Sequence, residues 1–216
     1  MRSLGMIDLI SFATAFQYTI LLVLLALVVG GPLALGFAMM RVSRFAPLRW
    51  FSALILQLMQ GVPLLALLMF VYFGLPVFLG IRLPPLLAVT AAFTIYTAVF
   101  LGEIWRGGIE AVKKTQWEAA ACLGLSRWQQ FAYIIAPQAL KVALPASVGF
   151  LVQLIKGTSL AAVVGFIELT RAGQLSAAAT LQPLPVYITI AAIYFAICSP
   201  LTFLSRKLET RLHGAR

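Results

Sequence analysis

Where charge is missing decides what this chain can fold into. No Asp, Glu, Lys or Arg occurs from residue 9 to 40, 50 to 81, 83 to 102 or 172 to 205. Each gap can hold a helical span, because about 20 consecutive apolar residues cross the hydrocarbon core. With 62% hydrophobic and 10% charged residues, the chain is too apolar for a soluble domain and reads as an all-α, polytopic membrane protein. The formal charge of +10 would suggest nucleic acid in a soluble protein, but here the basic residues gather at the ends of apolar runs and act as an orientation signal.

The spans are predicted at about 12–40, 50–73, 86–105, 138–155 and 184–203, in one transmembrane domain covering 1–216. Arg41, Arg44 and Arg49 belong on the cytoplasmic side, which puts the amino terminus outside. Arg206, Lys207 and Arg211 form a basic inside tail, so five transmembrane helices start outside and end in the cytoplasm. The first apolar run lacks a strong basic lead and a small-residue cleavage site, and is read as a retained span. Residues 1–11 are expected to be a short polar lead, and Gly30-Gly31-Pro32 to kink or pack closely.

A polar island runs from Thr115 to Pro137. Thr115-Gln-Trp-Glu118 fits a capping box, Ala119 to Ala121 propagate a helix at low cost, and Gly124 accepts the left-handed exit. Ser126-Arg-Trp-Gln129 is a second capping box, and Pro137 is expected to interrupt the helix that it starts. A short helix with an alanine face and a glycine exit suits a docking element; an ordinary capped cytoplasmic loop is the alternative.

Polar residues inside the apolar runs are few. Gln57 and Gln60 lie one turn apart and are read as bridging neighbouring helices, with lining a path as the alternative. Glu103 and Arg106 can pair at i and i+3, either anchoring the helix end or contributing to gating or substrate contact. Gln153 and Lys156 are placed near the outer end of the fourth span. The apolar stretch from Gly157 to Leu169 is too short to cross and reads as a re-entrant or packed half-length helix. There Lys156, Thr158 and Ser159, with freed backbone amides, either line a translocation route and meet a carboxylate or simply anchor a helix end.

Several chemistries are missing. No G-x4-G-K-[ST] occurs, so ATP phosphates are not expected to bind by that route. The single His213 lies in the tail, and Cys122 and Cys198 form neither a CxxC nor a His/Cys cluster, so no enzyme site, disulfide or metal centre is implied. Stacked carboxylates and inverted repeats are absent, which weighs against an ion-coupled secondary transporter. A non-transporting scaffold would leave the spacing in the polar island unexplained.

That spacing, Glu118-Ala119-Ala120, three residues, Gly124, nine residues, Ile134, one residue, Ala136-Pro137, resembles the EAA loop of ABC importer permeases, with Ala136 in place of a leucine. Gln60-Gly-Val-Pro-Leu-Leu65, Gly102-Glu-Ile-Trp-Arg-Gly-Gly-Ile109 and Lys156-Gly-Thr-Ser-Leu160 resemble segments of the permeases for polar amino acids of the histidine, glutamine and arginine type. Gln60 stands where arginine is usual, and Gly157 where aspartate is usual. The resemblance implies a type I importer (MetI-like) permease fold in a bacterial cytoplasmic membrane. It implies a coupling helix at about 115–124, in which Thr115, Glu118, Ala119, Ala120 and Gly124 engage a cytoplasmic ATPase dimer that binds ATP and magnesium; no cofactor belongs to this chain. An external solute-binding protein would deliver the substrate, and lipid but no nucleic acid would surround the spans. Five spans are few to enclose an aqueous path, so two such subunits, identical or similar, are expected to form it between them.

Overall fold

The computed structural model describes residues 4–213, and every regular element among them is helical. The first, α1 (Met6–Arg41), spans about 54 Å at 1.5 Å per residue, well beyond a hydrocarbon core of about 30 Å. It starts earlier than predicted, and residues 6–11 form its first turns rather than a separate lead. Asp8 explains this: its carboxylate accepts the Gly5 amide at 3.1 Å and the Ser176 hydroxyl at 2.8 Å, so the acid caps the helix while buried.

The partner of α1 is α5 (Pro85–Glu110), and glycines set how closely the two pack. A Cβ on Gly30 would lie 2.8 Å from the Thr97 Cβ, and one on Gly102 would lie 2.7 Å from the Ala34 carbonyl oxygen. Small residues of this kind let membrane helices approach backbone to backbone. Helix α1 runs through Pro32 without ending, so the Gly30-Gly31-Pro32 triplet serves packing.

The expected second span is not one helix. Helix α2 (Ala46–Gly61) and the stretch Leu64–Leu79 meet at 102°. Pro63 lacks a backbone donor and drives Val62 to extended geometry, φ −108° and ψ 122°. Beyond the corner, α3 (Leu64–Met69), a wide π turn (Phe70–Gly74) and α4 (Leu75–Leu79) follow.

After α5 come α6 (Lys114–Cys122), α7 (Arg127–Gln129), a second π turn (Gln130–Ile135) and α8 (Ala136–Gly157). Pro137 does not interrupt this run. The π turn precedes it as another precedes Pro76, giving the ring room where an ordinary turn would clash with the carbonyl four residues earlier. The predicted half-length helix after Gly157 is instead a tight 3₁₀ continuation of α8, Thr158–Val164, which Gly165 ends at φ +80°. Then α9 (Leu169–Thr180), which the sequence pattern did not signal, climbs to Asp8, and α10 (Pro183–His213) returns through Pro200.

Among the described residues, four helical stretches are long and apolar enough to cross a membrane: Met6–Arg41, Pro85–Glu110, Arg127–Val164 and Pro183–Leu212. The bent pair supplies a fifth if it is counted as one span. The main core joins α1, α5, α8 and the 3₁₀ turn through Leu22, Val89, Phe93, Leu154 and Ala161. This bundle is the frame that holds α6 at one end and a polar groove part-way along its side.

Candidate functional site: a projecting helix and a polar groove

Helix α6 begins two residues earlier than its sequence suggests. Lys113 is the N-cap and uses no side-chain bond, so Thr115 does not cap the helix; Glu118 pairs with Lys114 at 3.3 Å instead of returning to a cap amide. Lys114 with Glu118 is an i, i+4 pair that competes with the capping box for the same carboxylate. At the other end the Gly124 amide donates to Ala121 at 3.0 Å and the Leu125 amide to Ala120 at 3.4 Å, a Schellman motif, with Gly124 at φ +72°. The second capping box forms in both directions: the Ser126 amide donates to Gln129 Oε1 at 2.9 Å, and the Gln129 amide to Ser126 Oγ at 3.4 Å.

One face of α6 is spent on its own chain. Ala120 is 2% exposed, so it is not presented to a partner, while Thr115, Glu118 and Ala119 are exposed. Trp117 packs into a small core with Ile109, Val112, Ile135 and Phe131. Gln138 Nε2 donates to Gln116 Oε1 at 3.3 Å, and Gln130 Nε2 to the Leu125 carbonyl at 2.7 Å. The helix is therefore fastened to the ends of α5 and α8. Its C-cap and the following α7 carry two large exposed apolar side chains that sequence reasoning missed, Leu123 at 74% and Trp128 at 73%. Large apolar residues flanking Gly124 in an otherwise polar stretch were the available signal.

Beside the root of α6 lies a charge network. Glu103 accepts from Arg41 Nε at 3.2 Å and from Arg106 at 2.7 Å, and Arg106 also pairs with Glu110. The expected Glu103–Arg106 pair forms, and Arg41 extends it from α5 to the end of α1.

The remaining polar candidates separate. Gln57 and Gln60 are exposed and make no hydrogen bond among the described residues, so they do not bridge the described helices; their face of α2 points away from α1 and α5. Thr158 is fully buried and donates to the Ile155 carbonyl at 2.6 Å, which removes it from any path lining. Its amide is bonded to helix carbonyls, so the expected free backbone donors do not arise where α8 tightens into the 3₁₀ turn. Ser159 Oγ donates to the Lys156 carbonyl at 2.7 Å.

Gln153 and Lys156 remain exposed and line a groove between α8 and α10 with Ser199, Thr202 and Arg206. Lys156 does not lie at the outer end of the bundle. The neighbouring Gly157 packs on the Phe93 ring, and Phe93 stands about 15 Å along α5 from Glu103. The chain then continues through α9 to Asp8, near the start of α1, so Lys156 stands part-way along the bundle rather than at its end.

Behind the groove is a cluster without a sequence signal. Glu168 is fully buried and caps α9, accepting the Thr170 and Arg171 amides at 2.8 Å each and the Tyr194 hydroxyl at 3.0 Å. Thr19 of α1 accepts the Leu169 amide at 3.1 Å. Irregular backbone inside a bundle is tolerated where its groups find partners, as the Leu169, Thr170 and Arg171 amides do here.

Comparison with known proteins gives these features a context. Residues 26–214 match the family described as binding-protein-dependent transport system inner membrane component. A probable amino-acid ABC transporter permease of Bacillus subtilis is 37% identical over 90% of this chain and 85% of its own length. A probable glutamine ABC transporter permease of the same organism is 35% identical over 93% of each chain. In three dimensions the chain resembles a crystal structure of an amino acid ABC transporter with histidines, with TM-score 0.85, 30% identity, and 97% of this chain and 100% of that one covered. An inward-facing MetNI methionine ABC transporter shares the fold at TM-score 0.74 and 16% identity, over 94% of this chain and 95% of the other. With the EAA-like exit at Gly124, the all-helical type I fold and these matches together, the chain belongs to the family of binding-protein-dependent transport system inner membrane components.

Proposed function

We propose that this chain is the permease subunit of an ATP-driven importer of polar amino acids in a bacterial cytoplasmic membrane. The observation that carries the proposal is α6 with the turn into α7, a short helical corner held out at one end of the bundle with exposed Ala119, Leu123 and Trp128. In this reading a cytoplasmic ATPase dimer, which binds ATP and magnesium, grips that corner. The amino terminus is external and the carboxyl terminus cytoplasmic, as the arginines at 41, 44 and 49 favour. Two permease subunits enclose the path, and an external solute-binding protein delivers the amino acid.

The contacts suggest how force travels. Movement of α6 passes through Trp117 and the Gln116–Gln138 bond into α5 and α8. Helix α8 continues without a break to Gln153 and Lys156, so closure of the motor shifts these side chains part-way along the bundle. An exposed lysine there is costly against lipid, which favours a water-filled path or a partner subunit beside it. The protein carries no hydrolytic machinery in this account; the chemistry belongs to the ATPase.

The test is co-purification from detergent-solubilised membranes, comparing wild type with the Ala119→Arg, Leu123→Asp double variant. An ATPase recovered with wild type and lost with the variant, at unchanged thermal melting, supports the docking site. Recovery of no ATPase with wild type, under conditions that preserve complexes, removes the reading. In the assembled transporter, Gly124→Val is expected to leave the spans intact but separate ATP hydrolysis from uptake, because a β-branched residue does not adopt φ +72° without strain.

A further inference from the structure

We infer that the α8–α10 groove makes this permease selective for amino acids with neutral or acidic side chains and disfavours those with cationic ones. The inference rests on the permease reading above and adds the charge class of the substrate.

The groove has a volume of about 590 Å³ beside Lys156, Tyr194, Ser199 and Arg206, enough for an amino acid. It continues along Gln153, Thr202 and Arg206. Its two charges are both positive, and among the described residues neither Lys156 nor Arg206 pairs with a carboxylate. Among the described residues no acid lines either part.

The nearby acids are accounted for. Glu168 is sealed behind Tyr194, and its oxygens are taken by two amides and the tyrosine hydroxyl. Glu103 is held by Arg41 and Arg106 on another face. Glu209 lies one turn further along α10 and is not part of the lining.

A zwitterion brings one carboxylate, which Lys156 can meet as a point charge on a flexible stem. The hydroxyls of Ser199 and Thr202 and the Gln153 amide offer the substrate ammonium neutral acceptors. A second positive charge on the substrate would find no acid and two like charges, and like-charge juxtaposition is a strong means of rejection. A neutral polar side chain meets hydrogen-bonding groups, and an acidic one meets Arg206.

The deciding experiment is equilibrium binding of radiolabelled glutamate, glutamine and arginine to the permease purified with its ATPase, without a solute-binding protein. Wild type is expected to bind glutamate or glutamine at least about tenfold more tightly than arginine. Lys156→Glu is expected to reverse that preference, while Lys156→Met weakens glutamate and glutamine binding without creating arginine binding. Arginine bound as tightly as the others by wild type would overturn the inference and leave the permease reading standing. Unchanged preference in a folded, ATPase-bound Lys156→Glu would do the same. Binding of no amino acid by an assembled complex would overturn the inference, while the permease reading stands or falls with recovery of the ATPase.

Discussion

Arg41 at the end of α1 and Glu103 on α5 meet at 3.2 Å, and this contact closes the far end of the pairing that Gly30 and Thr97 begin. Both side chains are largely buried, at 16% and 22% exposed, and Arg106 binds the same carboxylate. Removing one partner of such a network strands the others. Glu103→Gln is therefore expected to destabilise the bundle by about 1–3 kcal/mol, seen as a lower melting temperature in detergent, while Glu110→Gln, at the exposed edge, costs under about 1 kcal/mol. Equal melting of both variants with wild type would show that the network does not hold α1 to α5.

The two adjacent glycines in α1 should respond in opposite ways. A methyl on Gly30 would press on Thr97 at 2.8 Å and 2.9 Å, whereas one on Gly31 would meet nothing within 4 Å. Gly30→Ala is expected to cost about 1–3 kcal/mol through separation of α1 and α5. Gly31→Ala should be neutral or stabilising by up to about 1 kcal/mol from helix propensity. Chemical denaturation of both variants in the same detergent checks the pair, and a larger loss at Gly31 would contradict the packing.

Glu168 is expected to be the least replaceable acid in the chain. Glu168→Ala would leave two amides and the Tyr194 hydroxyl without their acceptor in a buried setting, a loss of about 2–4 kcal/mol. Amide hydrogen exchange should speed up at Thr170 and Arg171 before the rest of α9. Exchange there at the wild-type rate would mean that another group caps the helix.

Much of the polar island was legible because capping is local chemistry. Ser126 with Gln129, and Gly124 as the left-handed exit, need only a few consecutive residues and stand as read. Thr115 failed because Lys114 offered Glu118 a competing ion pair, and two local motifs over the same carboxylate cannot be ranked from the sequence. The corner between α2 and α3 was hidden for another reason. Hydropathy averages across Gly61-Val62-Pro63, and an apolar stretch reads alike whether it is straight or bent by 102°.

The sequence by itself determined that this chain is a helical membrane protein with basic residues gathered at the ends of its apolar runs and an EAA-like spacing in its polar island. Those properties follow from composition, period and short-range spacing, which solvent and backbone sterics enforce without reference to distant residues. Only the tertiary structure decided which polar groups are available. Thr158 and Ala120 turn inward, Leu123 and Trp128 turn out, and Glu168 is sealed behind Tyr194. Lys156 stands part-way along the bundle because α9 extends beyond it, to the contact of Ser176 with Asp8, residues 168 positions apart. Burial and depth are set by contacts between elements far apart in the chain, and no local pattern encodes them.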